Sequence, residues 1–540
     1  MSHRPGEQET GMTDNTGTEQ LSYWAPTSET ALLPGTVGDL LRRAAAEAPD
    51  RLAVIDGAAG TDRSWTYAEL VDQALRLAGA LHVEFGAGAR IGVWAPNSPE
   101  WLILQQAAAL AGVQLVTINP AYTYHELDYV LRNSGCIGLF HGDEYRGAAV
   151  PAMAQRAASE ITGLTTHHLV DWIGSVVTPP TGTELPQVQE HDIAVVQYTS
   201  GTTGSPKGVL ISHRAMVNSA HLVARRAGLE DGCVYVNPMP TFHIGSCGTV
   251  TLGTISAVGT QVILPGFDPG RVLEVVEQYR ATALLAVPTM QLALLEHPDL
   301  PDRDVSSLRV VLTGGSTASA DLVRRVKAAF GCRFSITFGQ TETGGPSTQT
   351  DPDGEVWEQV ETIGRALPHT EVKIIDPVTG DTLPRGEAGE ICSRGPTTMT
   401  GYIDRPDDHS LREDGWLHYG DLGTMDDAGY LRIVGRLKDM IIRGGENISP
   451  REIEETLCTH PDVADAAVVG VPDNAWGEQV GAFVRLVDGA KVGAADLEEY
   501  CRTRLARHKV PRTWRLVEEF PLTPSGKIKK FQLREQLAAD

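Results

Sequence analysis

Apolar residues at 37, 40, 41, 44, 45 and 48 recur at the three- and four-residue spacing of one helical face. Thr36 with Asp39 predicts an N-terminal cap for that helix. Elsewhere the pattern changes. Ile193-Ala-Val-Val-Gln-Tyr198, the run from Ala281 to Val287, and Arg309-Val-Val-Leu-Thr313 are short apolar stretches that predict buried strands. Helix and strand alternate along the chain, which predicts an α/β fold with substantial parallel pairing. The stretch from Ile244 to Leu264 has no charged residue. A membrane-spanning helix needs about 20 predominantly apolar residues, and here Gly245, Gly248, Gly253 and Gly259 interrupt the run. The pattern predicts a buried helix running into a buried strand, and no integral membrane segment.

A boundary falls near residue 436. Tyr430-Leu-Arg-Ile-Val434 predicts a strand, and a glycine pair follows at 444–445. Ser449-Pro450-Arg451-Glu452 then predicts a helix start: Ser at the N-cap, Pro at the first helical position and Glu at the third, a capping box. Strands are expected near 463–471, 479–487 and 514–517, with a helix near 494–506. The predicted organisation is a disordered tail over 1–22, a large N-terminal multi-subdomain body over 23–435 with β-sheets flanked by helices, a connecting segment over 436–439, and a small α+β lobe over 440–540.

Composition narrows the function classes. The 540 residues are 41% apolar and 21% charged, enough to build a sizeable core and to exclude wholesale disorder. Asp and Glu number 69 against 45 Lys and Arg, a net charge of −24. That balance argues against a general nucleic-acid binder and against docking on anionic lipid through bulk charge. Seven cysteines are scattered with no CxxC pair, as expected of reduced thiols in a cytoplasmic protein. The first twenty residues are polar and lack the apolar core of a signal peptide, and either Met1 or Met12 could be the start.

Candidate chemistry begins at Tyr198-Thr-Ser-Gly-Thr-Thr-Gly-Ser-Pro-Lys-Gly208. Gly201, Gly204 and Gly208 allow close backbone approach. Thr199, Ser200, Thr202 and Thr203 offer hydroxyl donors, successive N–H groups can form an anion nest, and Lys207 adds a point charge for a polyphosphate. A Walker loop is excluded, because Ser205 and Pro206 separate Gly204 from Lys207 and no Ser or Thr follows the lysine. Phe338-Gly-Gln-Thr-Glu342 supplies a ring able to stack on a base, a hydroxyl, and a carboxylate suited to Mg²⁺ alongside phosphate oxygens. Trp416-Leu-His-Tyr-Gly-Asp421 places an aspartate able to accept from ribose hydroxyls. Pro524-Ser-Gly-Lys527 projects an ammonium from a glycine turn.

Together and in this order, from about Val37 to Leu537, these motifs resemble those of the adenylate-forming (AMP-binding) superfamily of acyl- and aryl-CoA synthetases, luciferases and peptide-synthetase adenylation domains. Ser22-Tyr23-Trp24 and the tail from Pro521 to Leu537 are most similar to the medium-chain acyl-CoA synthetase group. The resemblance implies a large body and a mobile C-terminal domain. It implies ATP, Mg²⁺ and coenzyme A, with a small carboxylic acid as substrate. It gives Phe338 and Gly339 the adenine, Thr341 the α-phosphate, Glu342 the metal, Asp421 and Arg436 the ribose, Lys438 the hinge, and Lys527 the catalytic lysine role beside Lys207. Gly315 and Ser316 join the nucleotide and acid positions. His243, Gly245 and Gly344 would line the acid pocket. An Asp in place of His243 would hold an α-ammonium, so an acid lacking one is expected. Gly444, Gly445, Glu446 and Trp476 would meet coenzyme A. The family pattern has Thr where this chain has Tyr419 and often Tyr where it has Phe338.

The expected reaction is activation of a medium-chain fatty or aryl acid to acyl-AMP, then transfer to coenzyme A. Transfer to an acyl carrier protein, activation of an unusual oxyanion such as nitrite, and an inactive scaffold are the alternatives. Joint retention of Lys207, Glu342, Asp421, Arg436 and Lys527 argues against the last.

Overall fold

The structure is a computed structural model that describes residues 20–176, 178, 184–199, 206–316, 318–405, 407–443, 446–473, 476–522 and 528–538, apart from the side chains of 447 and 538. The predicted helix forms at Val37–Glu47, with the Thr36 and Asp39 side chains reciprocally capping its first turn. The strand predictions are met at Ile193–Thr199, Ala283–Leu285 and Val310–Gly314.

Two large sheets dominate the body. In the first, Ile193–Thr199 pairs in parallel with Gln114–Thr117, which continues in parallel through Arg90–Trp94, Gly138–His141 and Thr165–His168. In the second, Leu52–Asp56, Thr260–Ile263, Val234–Asn237, Ala283–Leu285, Val310–Gly314 and Arg333–Gln340 run parallel, with Gly345–Gln349 turning back antiparallel at one side. Parallel strands of this kind are buried on both faces, which is why they read as unbroken apolar runs. The helix Pro99–Ala111 is buried along its whole length, as its sequence PEWLILQQAAALA requires, and joins the same core as residues of both sheets.

A third, antiparallel sheet joins Tyr23–Trp24, Glu371–Ile375, Gly389–Arg394, Leu417–Met425 and Leu431–Arg436 in that order. Its last ladder sets Asp421 opposite Arg436. Beyond it, Ile441–Arg443, Glu446–Ile448, Val463–Asp473, Gly477–Leu486 and Thr513–Leu516 form a separate sheet with its own apolar cluster.

The stretch from Ile244 to Leu264 contains a π-helical turn at Gly245–Val250, the helix Thr251–Ser256 and the strand Thr260–Ile263, all in the interior. Among the described residues no helix is long and apolar enough to cross a membrane.

The capping box expected at Ser449 does not form. Ser449 is the N-cap of Pro450–Cys458, but its hydroxyl donates to the Val434 carbonyl at 2.5 Å rather than capping its own helix. Glu452 reaches Lys509 at 2.7 Å instead of turning back to the cap. A local motif has been spent on a long-range contact, which fastens the small lobe to the last strand of the body.

The helix His213–Arg226 buries the His213 imidazole and half-buries that of His221. Burial, opposed in part by Asp192 and Asp39, pushes His213 down to about 4 from an ordinary 6.5. Burial and then the Arg225 charge push His221 to about 4 as well. Each histidine is neutral in the fold and takes a proton more readily once unfolded. The stability each contributes is complete above pH 6.5 and drains as pH falls toward 4. A shift of that size corresponds to about 3 kcal/mol for His213 at the acid limit, and to less for the half-buried His221, where solvent screens the charge. We expect thermal denaturation followed across this window to show a shallower loss of stability in His213→Asn, whose amide oxygen can still accept the Val37 N–H that His213 Nδ1 accepts at 3.3 Å.

Candidate active site

Several of the residues singled out from the sequence lie where parallel strands end. Val310–Gly314 runs out onto Gly315 and Ser316, both exposed, and Arg333–Gln340 runs out onto a turn containing Thr341 and Glu342. Ligands of open α/β sheets bind outside such carboxyl ends.

Phe338 is half-buried and stacks on Tyr419, with ring centroids 5.9 Å apart and planes inclined by 26°. Gly339 lies beside it, opposite Pro346. The Tyr419 hydroxyl donates to Ser347 Oγ at 2.7 Å and lies 2.7 Å from Ser393 Oγ. The bulky residue that departs from the family pattern is therefore accommodated: its ring backs Phe338 and its hydroxyl is satisfied by two buried serines. Glu390 braces the turn that follows, accepting from the Gly420 N–H at 3.0 Å while its other oxygen meets His418 Nδ1 at 2.8 Å.

Asp421 is buried, and both its oxygens are engaged. Arg436 Nε donates to Oδ1 and Gln340 Nε2 to Oδ2, each at 3.0 Å. A carboxylate offers about four acceptor positions, so room is left for ligand hydroxyls. Lys438 sits just past Arg436. Desolvation and then the Arg436 charge push its ammonium below the ordinary range, and it also feels Asp421 and Lys207. The connecting segment thus lies near Asp421 and Lys207.

The hairpin carrying the Gly-Ser-Thr loop places Thr199 opposite Lys207. Gln197 Nε2 donates to Thr341 Oγ1 at 3.3 Å, tying this hairpin to the Phe338–Glu342 segment. Lys207 makes an ion pair with Asp408 at 2.5 Å and stands 5.0 Å from the centre of the Tyr402 ring. The Tyr402 hydroxyl donates to Glu342 Oε1 at 2.9 Å. Burial, and next the Glu342 charge, push that phenol well above its ordinary value, so it stays protonated and donating.

His243 Nδ1 accepts the Gly245 N–H at 3.1 Å, so the neutral ring carries its proton on Nε2. Gly344 has φ +65°, and a Cβ there would lie 2.4 Å from the Thr397 carbonyl oxygen. Only glycine fits where the turn meets that loop. In the small lobe, Glu446 is exposed, and Trp476 is 52% exposed with the Arg443 guanidinium 5.1 Å from its ring centre. Ser200, Gly201, Thr202, Thr203, Gly204, Gly444, Gly445 and Lys527 lie outside the described residues.

Sequence reasoning missed Gln340, Tyr402, Asp408 and Glu390 as members of this site. Each acts on a partner distant in the chain, 60 residues away for Tyr402 and 201 for Asp408, and no local spacing announces such a pair.

Two family models match this chain: the AMP-binding enzyme over residues 41–403 and the AMP-binding enzyme C-terminal domain over 452–527. The chain belongs to the AMP-binding enzyme family. Within the family it is 38% identical over 539 residues to a Bacillus subtilis (strain 168) protein named as an acyl-CoA synthetase, YngI, covering 94% of this chain and 97% of the relative. It is 34% identical over 554 residues to the medium-chain acyl-CoA ligase ACSF2, mitochondrial, of Macaca fascicularis, covering 96% and 89%. The crystal structure of ATP-bound MatB from Rhodopseudomonas palustris is similar with a TM-score of 0.83 at 30% identity, covering 93% of this chain and 99% of that one. The resemblance and the α/β fold class read from the sequence are thereby shown, and the chain is an adenylate-forming ligase of the acyl-CoA synthetase type.

Tyr419→Phe keeps the ring and removes the hydroxyl shared by Ser347 and Ser393. We expect a loss of about 1–3 kcal/mol in stability, read as a lower Tm, with KM for ATP nearly unchanged. Tyr419→Ala removes the support behind Phe338 and should raise KM for ATP roughly tenfold, the cost of about one ring contact.

Proposed function

We propose that this chain activates a medium-chain fatty or aryl carboxylic acid with ATP, releasing pyrophosphate, and passes the acyl group from acyl-AMP to coenzyme A. The supporting observation is the convergence of Phe338, Asp421, Lys207 and Glu342 from three segments of the chain, linked through Tyr419, Gln340 and Tyr402. These groups match, in turn, a base, a ribose, a polyphosphate and a divalent cation. The stack on Phe338, the engaged Asp421 carboxylate and the Lys207 cation would fix adenosine and phosphates in one orientation. Arg436 holds the Asp421 carboxylate in place through its hydrogen bond to Oδ1.

The acid arrives already ionised, so attack on the α-phosphorus requires no enzyme base; positioning and charge stabilisation carry the step. Lys527, assigned by resemblance, would bridge the carboxylate and the α-phosphate. Glu342 suits Mg²⁺: the Tyr402 hydroxyl takes only one of its acceptor positions, and a phosphate-binding lysine stands on the same tyrosine. The cation would supply charge neutralisation of the phosphate oxygens.

His243 would face the carboxylate, with Nδ1 held by the Gly245 N–H. No carboxylate stands at position 243 to hold an α-ammonium, which supports an acid without one. For the second half-reaction, the lobe after 436–439 would turn about Lys438 and present Glu446, Gly444 and Gly445 to the thiol. The exposed Trp476 beside Arg443 suits the base of coenzyme A. A cytoplasmic setting with free coenzyme A accords with the scattered thiols.

Incubation with ATP, Mg²⁺, coenzyme A and a panel of acids should yield AMP and one class of acyl-CoA thioester by mass spectrometry. AMP without thioester would move the acceptor to a carrier protein or another nucleophile, and ADP would overturn the reading of the loop. Lys527→Ala should abolish acyl-AMP formation while largely sparing thioester formation from supplied acyl-AMP. Equal loss of both half-reactions would refute a role confined to the first.

A further inference from the structure

Lys207 already holds an anion of the protein's own. Its ammonium lies 2.5 Å from Asp408 Oδ2, and the two side chains are only 20% and 12% exposed. The carboxylate is itself held in place: the Ser410 N–H at 2.9 Å and the Ser410 hydroxyl at 2.5 Å both donate to Oδ1. Burial works against the charged form, yet the hydrogen bonds from Lys207 and Ser410 outweigh it and hold the Asp408 carboxyl below its ordinary range. The group is thus a fixed, ionised, largely desolvated partner of the lysine. Such a pair interacts far more strongly than one on the open surface. On the other side Lys207 is limited by the Tyr402 ring, whose hydroxyl is committed to Glu342.

A polyphosphate that takes Lys207 as a close partner must share or displace this carboxylate, because two anions on one ammonium repel each other at short range. We propose that Asp408 is the resident counter-ion of Lys207 and competes with polyphosphate for it, weakening the binding of ATP and pyrophosphate and so favouring pyrophosphate departure. This rests on Lys207 being the polyphosphate lysine of the proposed function. When pyrophosphate leaves, Asp408 re-forms its pair with the lysine, so the cation is never left partly buried and uncompensated. Asp408 acts through Lys207 and is a positioning residue.

The test is calorimetric binding of ATP, pyrophosphate and AMP to the full chain and its variants. Asp408→Asn should tighten ATP and pyrophosphate about three- to tenfold, as expected for losing one competing charge, and leave AMP unchanged. Ser410→Ala loosens the carboxylate without removing it and should shift ATP and pyrophosphate in the same direction by less, which keeps the proposal testable should Asp408→Asn fail to fold. Weaker or unchanged binding of ATP and pyrophosphate in a folded variant overturns the competition. An equal change for AMP and ATP also overturns it, since the effect would then lie in the loop as a whole. Lys207→Met separates the two levels: if it leaves pyrophosphate binding intact, the reading of Lys207 itself falls.

Discussion

The site depends on one amide. Gln340 Nε2 bonds the Tyr419 carbonyl at 2.9 Å and Asp421 Oδ2 at 3.0 Å. One partner ends a strand of the nine-stranded parallel-rich sheet, and the others sit in an antiparallel sheet some 80 residues further on. Nothing in either sheet alone would align Phe338 with Tyr419 or aim Asp421 at the same face. With that bridge made, the stack, the buried carboxylate and the guanidinium of Arg436 fall into one continuous surface. A buried polar group left without partners costs more than a made hydrogen bond returns, so the bridge also selects a single docking of the two sheets.

Charge is arranged on the same logic. The chain is strongly acidic overall, and two cationic groups at the site each meet a defined anion: Lys207 meets Asp408, and Arg436 meets Asp421. Tyr402 adds a neutral donor to Glu342, which fixes that carboxylate. Prearranged dipoles and charges of this kind need not reorganise when charge moves in a reaction.

Much of this was legible in the chain. The short apolar runs gave the strands, because parallel strands buried on both faces leave no polar alternation. The Phe338–Glu342 and Trp416–Asp421 segments were legible because their chemistry is contained within a few consecutive residues. What escaped were partners far apart in sequence. Ser449 reads as a helix cap, and its hydroxyl instead crosses to Val434. Tyr419 reads as a misfit, and only Ser347 and Ser393, 72 and 26 residues away, explain it. Asp408 is one acidic residue among many until folding brings Lys207 beside it. Periodicity records which face of an element is buried; it does not record which side chain waits on the other side.

Six of the seven cysteines are buried. Burial pushes the thiols of Cys136, Cys233 and Cys247 up to about 12, and those of Cys332 and Cys501 to about 11. Cys247 lies within the π-helical turn that follows His243. At neutral pH a thiol of that kind is almost never the reactive thiolate. An enzyme that makes an acyl mixed anhydride holds a reagent able to acylate any competent sulphur within reach. By keeping six of its sulphurs protonated and enclosed, the fold limits its own acylation by that intermediate and leaves an incoming thiol as the favoured acceptor.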